Sequence, residues 1–146
     1  MQNAQPHVKL AVPFFMVKNM HASLDFYVNG LGCEMKFKWT TDAGDIKWCW
    51  LAIDDAALML QEFNKESVLA KEKLGAGVEI YFICEDALSI YHQLIKKNIS
   101  VDEPFVGNNM WVVSLKDPDG YKISFESKTN VPEETKYADW QRSQSL

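Results

Sequence analysis

The sequence predicts an α+β fold made of two tandem β-α-β-β-β modules. Short runs rich in β-branched and aromatic residues read as strands, and two capped segments with helical spacing read as helices. The order of these elements then occurs twice, which marks an internal duplication.

Taken along the chain, "VKLAVPFFMV" (residues 8–17) is too short for an ordinary globular helix and reads as a strand. Asn19 caps the next element, where Met20, Leu24, Tyr27 and Leu31 recur at helical spacing until the "GLG" at 30–32 stops it. "CEMKFKWTT" alternates strictly, and "DIKWCWLAID" and "ALMLQEF" are two more strands joined through Asp54, Asp55 and Ala56. These elements form module one, residues 8–63, and a polar, helix-prone linker follows at 64–77. Module two, residues 78–127, has a strand at 78–84, a helix at 86–98, and strands near 100–106, 110–116 and 121–127. The halves superpose at an offset of 66, which pairs Val12 with Val78 and Ser23 with Ser89. Residues 128–146 read as a polar surface tail without periodicity, docked at Trp140, and residues 1–146 form one domain.

Composition narrows the function. A net charge of -5 and a pI near 5.2 argue against a nucleic-acid binder, which needs a basic stripe to displace counterions. No apolar run approaches the roughly 20 residues of a membrane span. The start "MQNAQPHVKLAV" lacks a signal-peptide pattern, so a cytoplasmic location is expected, with no membrane partner. Cys33, Cys49 and Cys84 are widely spaced, outside any CxxC or Cys/His cluster, and read as reduced, mostly buried thiols. In "DPDG", Asp117 and Asp119 serve a tight turn, with Pro118 fixing one backbone angle and Gly120 accepting a positive φ.

The stretches "VPFFMVKNMHASLDFYVNGLG" and "DPDGYKISFE" resemble the glyoxalase / bleomycin-resistance / extradiol-dioxygenase superfamily, the vicinal oxygen chelate proteins. The resemblance spans residues 8–127, and its pattern Val-x-Asp-x-x-x-Ser-x-x-Phe-Tyr appears as Val17, Asn19, Ser23, Phe26 and Tyr27. Asn19 departs from the Asp of that pattern. The resemblance implies strongly curved sheets cupping a cavity, helices outside, and a homodimer in which the partner completes the cavity.

It also implies two uses of the cup: enzymes that hold a divalent metal, and metal-free proteins that enclose an antibiotic. The metal-ligand positions fall on Val12, Met59, Val78 and Ser124, with a one-residue slip putting the second on Leu60. None of these replaces the His and carboxylate donors of a divalent site, so neither a metal nor another cofactor is expected. His7, His21 and His92 lie outside the cup. Strand parity turns Glu79 and Tyr81 to the helix side, and a register slip would reverse Glu79.

The residues expected to line the cup are Phe14, Met16, Trp39, Trp48, Trp50, Met59 and Gln61 from module one. Module two contributes Ile80, Phe82, Val112, Ser114, Lys122, Ser124 and Glu126. This set describes a mainly apolar, aromatic pocket for a small organic molecule, and the acidic chain favours a cationic one. The expected function is thus metal-free binding of the bleomycin-resistance type, with no catalytic residue assigned. The alternatives are a lyase, isomerase or dioxygenase using an atypical metal or only Ser124, Gln61, Lys122 and Glu126, and a dimeric scaffold whose cups Trp48 and Trp50 fill.

Overall fold

The computed structural model describes residue 5 and residues 7–145. The N-terminal reading therefore falls partly on residues 1–4 and 6, outside the described residues. Module one contains β1 (Phe14–Val17), α1 (Met20–Leu24), β2 (Glu34–Thr40), β3 (Ile46–Ile53) and β4 (Ala56–Glu62). Module two contains β5 (Glu79–Ile83), α2 (Ala87–Lys96), β6 (Phe105–Gly107), β7 (Met110–Lys116) and β8 (Lys122–Lys128), and α3 (Tyr137–Gln144) follows. The strands form two mixed four-stranded sheets, ordered β1-β4-β3-β2 and β5-β8-β7-β6, so the α+β class holds and no barrel closes. Among the described residues no helix is long and apolar enough to cross a membrane.

Local chemistry sets the helix starts. The Asn19 side chain accepts from the Ala22 amide at 3.0 Å and Asp86 accepts from Ser89 at 3.1 Å, each satisfying a donor that the first helical turn leaves free. α1 does not run on for three regular turns. It widens over Asp25–Gly30 into a π-helical turn, in which the Leu31 amide reaches back to the Phe26 carbonyl at 2.9 Å.

The residues of the superfamily-like pattern prove to be where the modules join. Tyr27 is fully buried and donates its hydroxyl to Asp117 at 2.7 Å, across 90 positions of sequence. Asp117 also accepts from the amides of Asp119 (2.9 Å) and Tyr121 (2.8 Å), so the β7–β8 turn is held under the first helix. Phe15 stacks flat on Tyr121 at 4.1 Å, and the Tyr121 hydroxyl donates to the Met16 carbonyl at 2.9 Å. One hydrophobic core thus runs through both modules. In the linker, Gly75 has φ near +80° and passes so close to Gly120 that a Cβ would lie 2.6 Å from its carbonyl oxygen.

The C-terminal stretch is more ordered than its composition suggests. The Val106 amide bonds the Thr135 carbonyl at 3.0 Å and Glu134 returns a bond to Val106 at 2.8 Å, which covers the β6 edge. α3 then lays Tyr137 and Trp140 against Trp111, with Trp111 and Trp140 ring centroids 5.4 Å apart. Trp140 docks the segment as expected, but in a helix seated by an aromatic cluster.

Candidate functional site

Each sheet turns one face to the shared core; the other, termed the open face, is partly exposed in module one, while in module two Val112, Ser114 and Ser124 on it are buried. In β1, Phe15 and Val17 are buried while Phe14 and Met16 alternate to the open face. Cys49 and Leu51 of β3, with Leu58 and Leu60 of β4, likewise enter the core, and Trp48, Trp50, Met59 and Gln61 point away from it. Burial pushes the thiols of Cys33 and Cys49 up to about 11, which leaves them protonated and unreactive at neutral pH.

Strand register assembles the open side chains of module one into two rows. Phe14, Met59, Trp50 and Phe37 lie side by side across the sheet, and next to them lie Met16, Gln61, Trp48 and Trp39. All seven residues expected from module one therefore share one surface. Phe37 is an eighth, two residues before Trp39 on the same face, whereas a bulge between Met35 and Phe37 leaves Met35 opposite Leu51 on the core side. Phe37 and Trp39 are 62% and 58% exposed, a large aromatic area for one face of a small protein. Trp39, Trp48 and Gln61 also line a cleft of about 690 Å³, whose far wall holds Lys47, Glu62 and Lys65. Glu62 pairs with Lys47 and accepts from the Met20 amide at 2.8 Å.

Module two requires a correction. Ile80 and Phe82 do not face the open side: they pair with the buried Ile123 and Phe125 and pack on the core, with Phe82 and Phe125 rings stacked at 5.3 Å. Glu79 and Tyr81 take the open side instead. The cause is a register error of one. The equivalent helix caps Asn19 and Asp86 are 67 positions apart, so Val12 corresponds to Glu79 and not to Val78. A slip of one residue reverses every side chain of a strand. Since Ile80, Tyr81, Phe82 and Ile83 form an unbroken apolar run, alternation carried no signal to prevent it. Val78 precedes β5 altogether.

The open face of module two is consequently polar at its centre. Tyr81, Ser124 and Ser114 lie in one row across β5, β8 and β7, flanked by Glu79 with Lys122 and by Glu126 with Val112. Ser124 is fully buried and donates to Glu79 at 2.9 Å. Its oxygen lies 2.7 Å from Ser114 Oγ, so Ser114 must donate in turn. Lys122 Nζ stands 3.5 Å from the same Glu79 oxygen. Partial burial would raise the Glu79 carboxyl, but hydrogen bonds from Tyr81 and Ser124 and the Lys122 charge outweigh it and hold the group below the usual range. Bonding to Glu79 and burial raise Tyr81.

Of the four positions at which the resemblance implies metal ligands, two now carry oxygen, Glu79 and Ser124, and two remain Val12 and Met59. One carboxylate already bonded to a serine and a lysine does not make a divalent site, and no group of three or more His, Cys, Asp or Glu capable of one occurs among the described residues. The residues present do not fit the metal. His92 is occupied on α2, where Nε2 lies 3.3 Å from the Tyr137 hydroxyl.

Replacing Ser124 with alanine is expected to raise the Glu79 pKa, read by carbon-detected NMR titration, because a bond to the ionised form is lost. The lowered folded-state pKa adds stability above the unfolded-state value that disappears as pH falls through the folded one, so this variant should also show less acid-dependent loss. An unchanged Glu79 titration would contradict the bond.

The sequence profile of the Glyoxalase/Bleomycin resistance protein/Dioxygenase superfamily matches residues 5–125. No curated protein matches the chain in sequence. Among solved structures, TnmS3, an antibiotic binding protein from Streptomyces sp. CB03234, is similar with TM-score 0.63 and 18% identity, covering 86% of this chain and 100% of its own. A bleomycin-binding protein complexed with bleomycin gives TM-score 0.64 at 18% identity, over 83% and 99% of the two chains. A lactoylglutathione lyase from Agrobacterium tumefaciens gives 0.63 at 17%, over 84% and 96%. At such identities the likeness is one of fold.

Proposed function

The chain belongs to the glyoxalase/bleomycin resistance protein/dioxygenase superfamily, and within it we propose a metal-free cytoplasmic protein that encloses a small aromatic or amphipathic molecule. The observation that carries this reading is the double row of Phe, Trp and Met side chains on the open face of module one. Half-exposed indoles held in register by a sheet form a rigid stacking surface that loses little entropy on binding. The polar row of module two supplies the few orienting groups such a pocket needs. Glu126, Glu79 and Tyr81 favour a cationic or hydrogen-bond-donating group on the ligand, and an antibiotic of that kind fits the description. Two copies pair as a homodimer, each covering the aromatic face that the other leaves exposed.

A second reading rests on the chain from Ser114 through Ser124 to Glu79, which could handle a proton in a lyase or isomerase reaction without a metal. Two measurements decide. Titration of antibiotics and planar metabolites should quench tryptophan fluorescence saturably, and no response to any of them would favour cups filled by their own tryptophans. Stoichiometric zinc, nickel, manganese or iron surviving dialysis would overturn the metal-free reading, and turnover of a bound compound would favour the second.

A further inference from the structure

The internal repeat is broken at one place. With equivalent caps at Asn19 and Asp86, Phe82 is the counterpart of Phe15, and Leu94 that of Tyr27. Phe14 pairs with Met59 while its counterpart Tyr81 pairs with Ser124, which puts Ala56 where the other half has Tyr121. Beside Phe15 the junction is filled by the Tyr121 ring and sealed by the bonds of Asp117. Beside Phe82 the matching ring is reduced to a methyl group, and the β3–β4 turn consists of Asp54 and Asp55 alone.

The missing ring leaves a crevice of about 740 Å³ floored by Ile53, Ala56, Phe82, Ile90 and Phe125. Ile53, Asp54, Ile90 and Phe125 also line a second, neighbouring space of about 330 Å³ that reaches Leu31 and Leu94. The rim carries the carboxylates of Asp54, Asp55, Glu85 and Asp86, and among the described residues no lysine or arginine lines either space. Lys97, at the far end, is engaged by the carbonyls of Asn29 and Gly30 at 3.1 and 2.8 Å.

We propose that this crevice binds an arylalkyl ammonium ion, with its ring on Phe82 in the place that Tyr121 takes on Phe15, and its charge beside Asp54, Asp55 and Glu85. Asp86 is set aside because its carboxylate caps α2. The positive end of that helix also disfavours a cation directly over it, which leaves the turn side for the ammonium. An apolar floor with room for a ring and a rim of one sign select this chemistry: the floor rewards aromatic area, and the rim repels an anion of the same shape. Among the described residues no tryptophan lines the crevice, so its occupation is separable from binding at the open faces.

The test uses the full chain with 4-phenylbutyltrimethylammonium as probe and 4-phenylbutanesulfonate as the matched anion, followed by amide NMR and calorimetry. The cation should shift Ile53, Ala56, Cys84 and Ile90 and leave the signals of Trp48 and Trp50 unmoved. Each added methylene should tighten binding by up to about fourfold. Ala56→Tyr, which supplies the absent ring, should weaken binding by more than about tenfold. Replacing Asp54 and Asp55 with Asn and Glu85 with Gln should weaken it about tenfold and flatten its salt dependence. Equal binding of the sulfonate would overturn the proposal, as would shifts confined to Trp48 and Trp50. Unchanged affinity in the carboxylate triple variant would do so even if Ala56→Tyr failed to fold.

Discussion

Asp117→Ala is expected to destabilise the protein by about 3 kcal/mol or more, among the larger effects of any single change here. Asp117 is 5% exposed and accepts from the Tyr27 hydroxyl and two amides, so its removal strands three donors in or near the core. A buried donor left without a partner costs about 1–3 kcal/mol. Tyr27→Phe removes one bond and should cost about 1–2 kcal/mol by the same reasoning. The measurement is the urea midpoint, which should fall by about 1 M or more for the alanine variant.

Burial raises the Asp117 carboxyl even though Tyr27, Tyr121 and Asp119 donate to it. A raised folded-state pKa means that this group's contribution is full below the unfolded value and is lost as pH rises through the folded one. Asp117→Asn, which cannot ionise, should therefore compare more favourably with the wild type at pH 7 than at pH 4. A midpoint unchanged in Asp117→Ala would mean that the turn is not what joins the modules.

The second large effect concerns the aromatic rows. The double variant Trp48→Ala, Trp50→Ala should weaken binding of any ligand that quenches the fluorescence of these tryptophans by about 100-fold. Two indoles that each remove about 50–60 Å² of apolar surface from water, their own and the ligand's taken together, contribute between them about 3 kcal/mol. Both indoles are partly covered by their neighbours on that face, so the double variant should also lose some thermal stability, and affinity is read well below its unfolding midpoint. Unaltered affinity would place the ligand elsewhere. Loss of the folded state or of a dimer would assign the tryptophans to packing, as in the filled-cup alternative.

Much of the fold was legible because it is encoded by neighbours in sequence. Asn19 and Asp86 start helices through bonds three residues away, and the Asp-Pro-Asp-Gly turn needs only its own backbone angles. The rows of module one were legible for a related reason, since Trp48 and Trp50 alternate with Cys49 and Leu51 and the two sets differ in burial. The C-terminal helix was not, because its seat against Trp111 is made by residues far from it in the chain.

What the sequence by itself determined, then, is two β-α-β-β-β modules of one superfamily, the aromatic face of the first, and the lack of histidine and carboxylate at most of the metal positions. Tertiary structure alone decided that Glu79 and Tyr81, and not Ile80 and Phe82, face outward, that Tyr27 reaches Asp117, and that Ala56 leaves a crevice beside Phe82. The division has a physical basis. Caps and alternation act over a few residues, whereas the facing of a uniformly apolar strand depends on which side the distant core offers it.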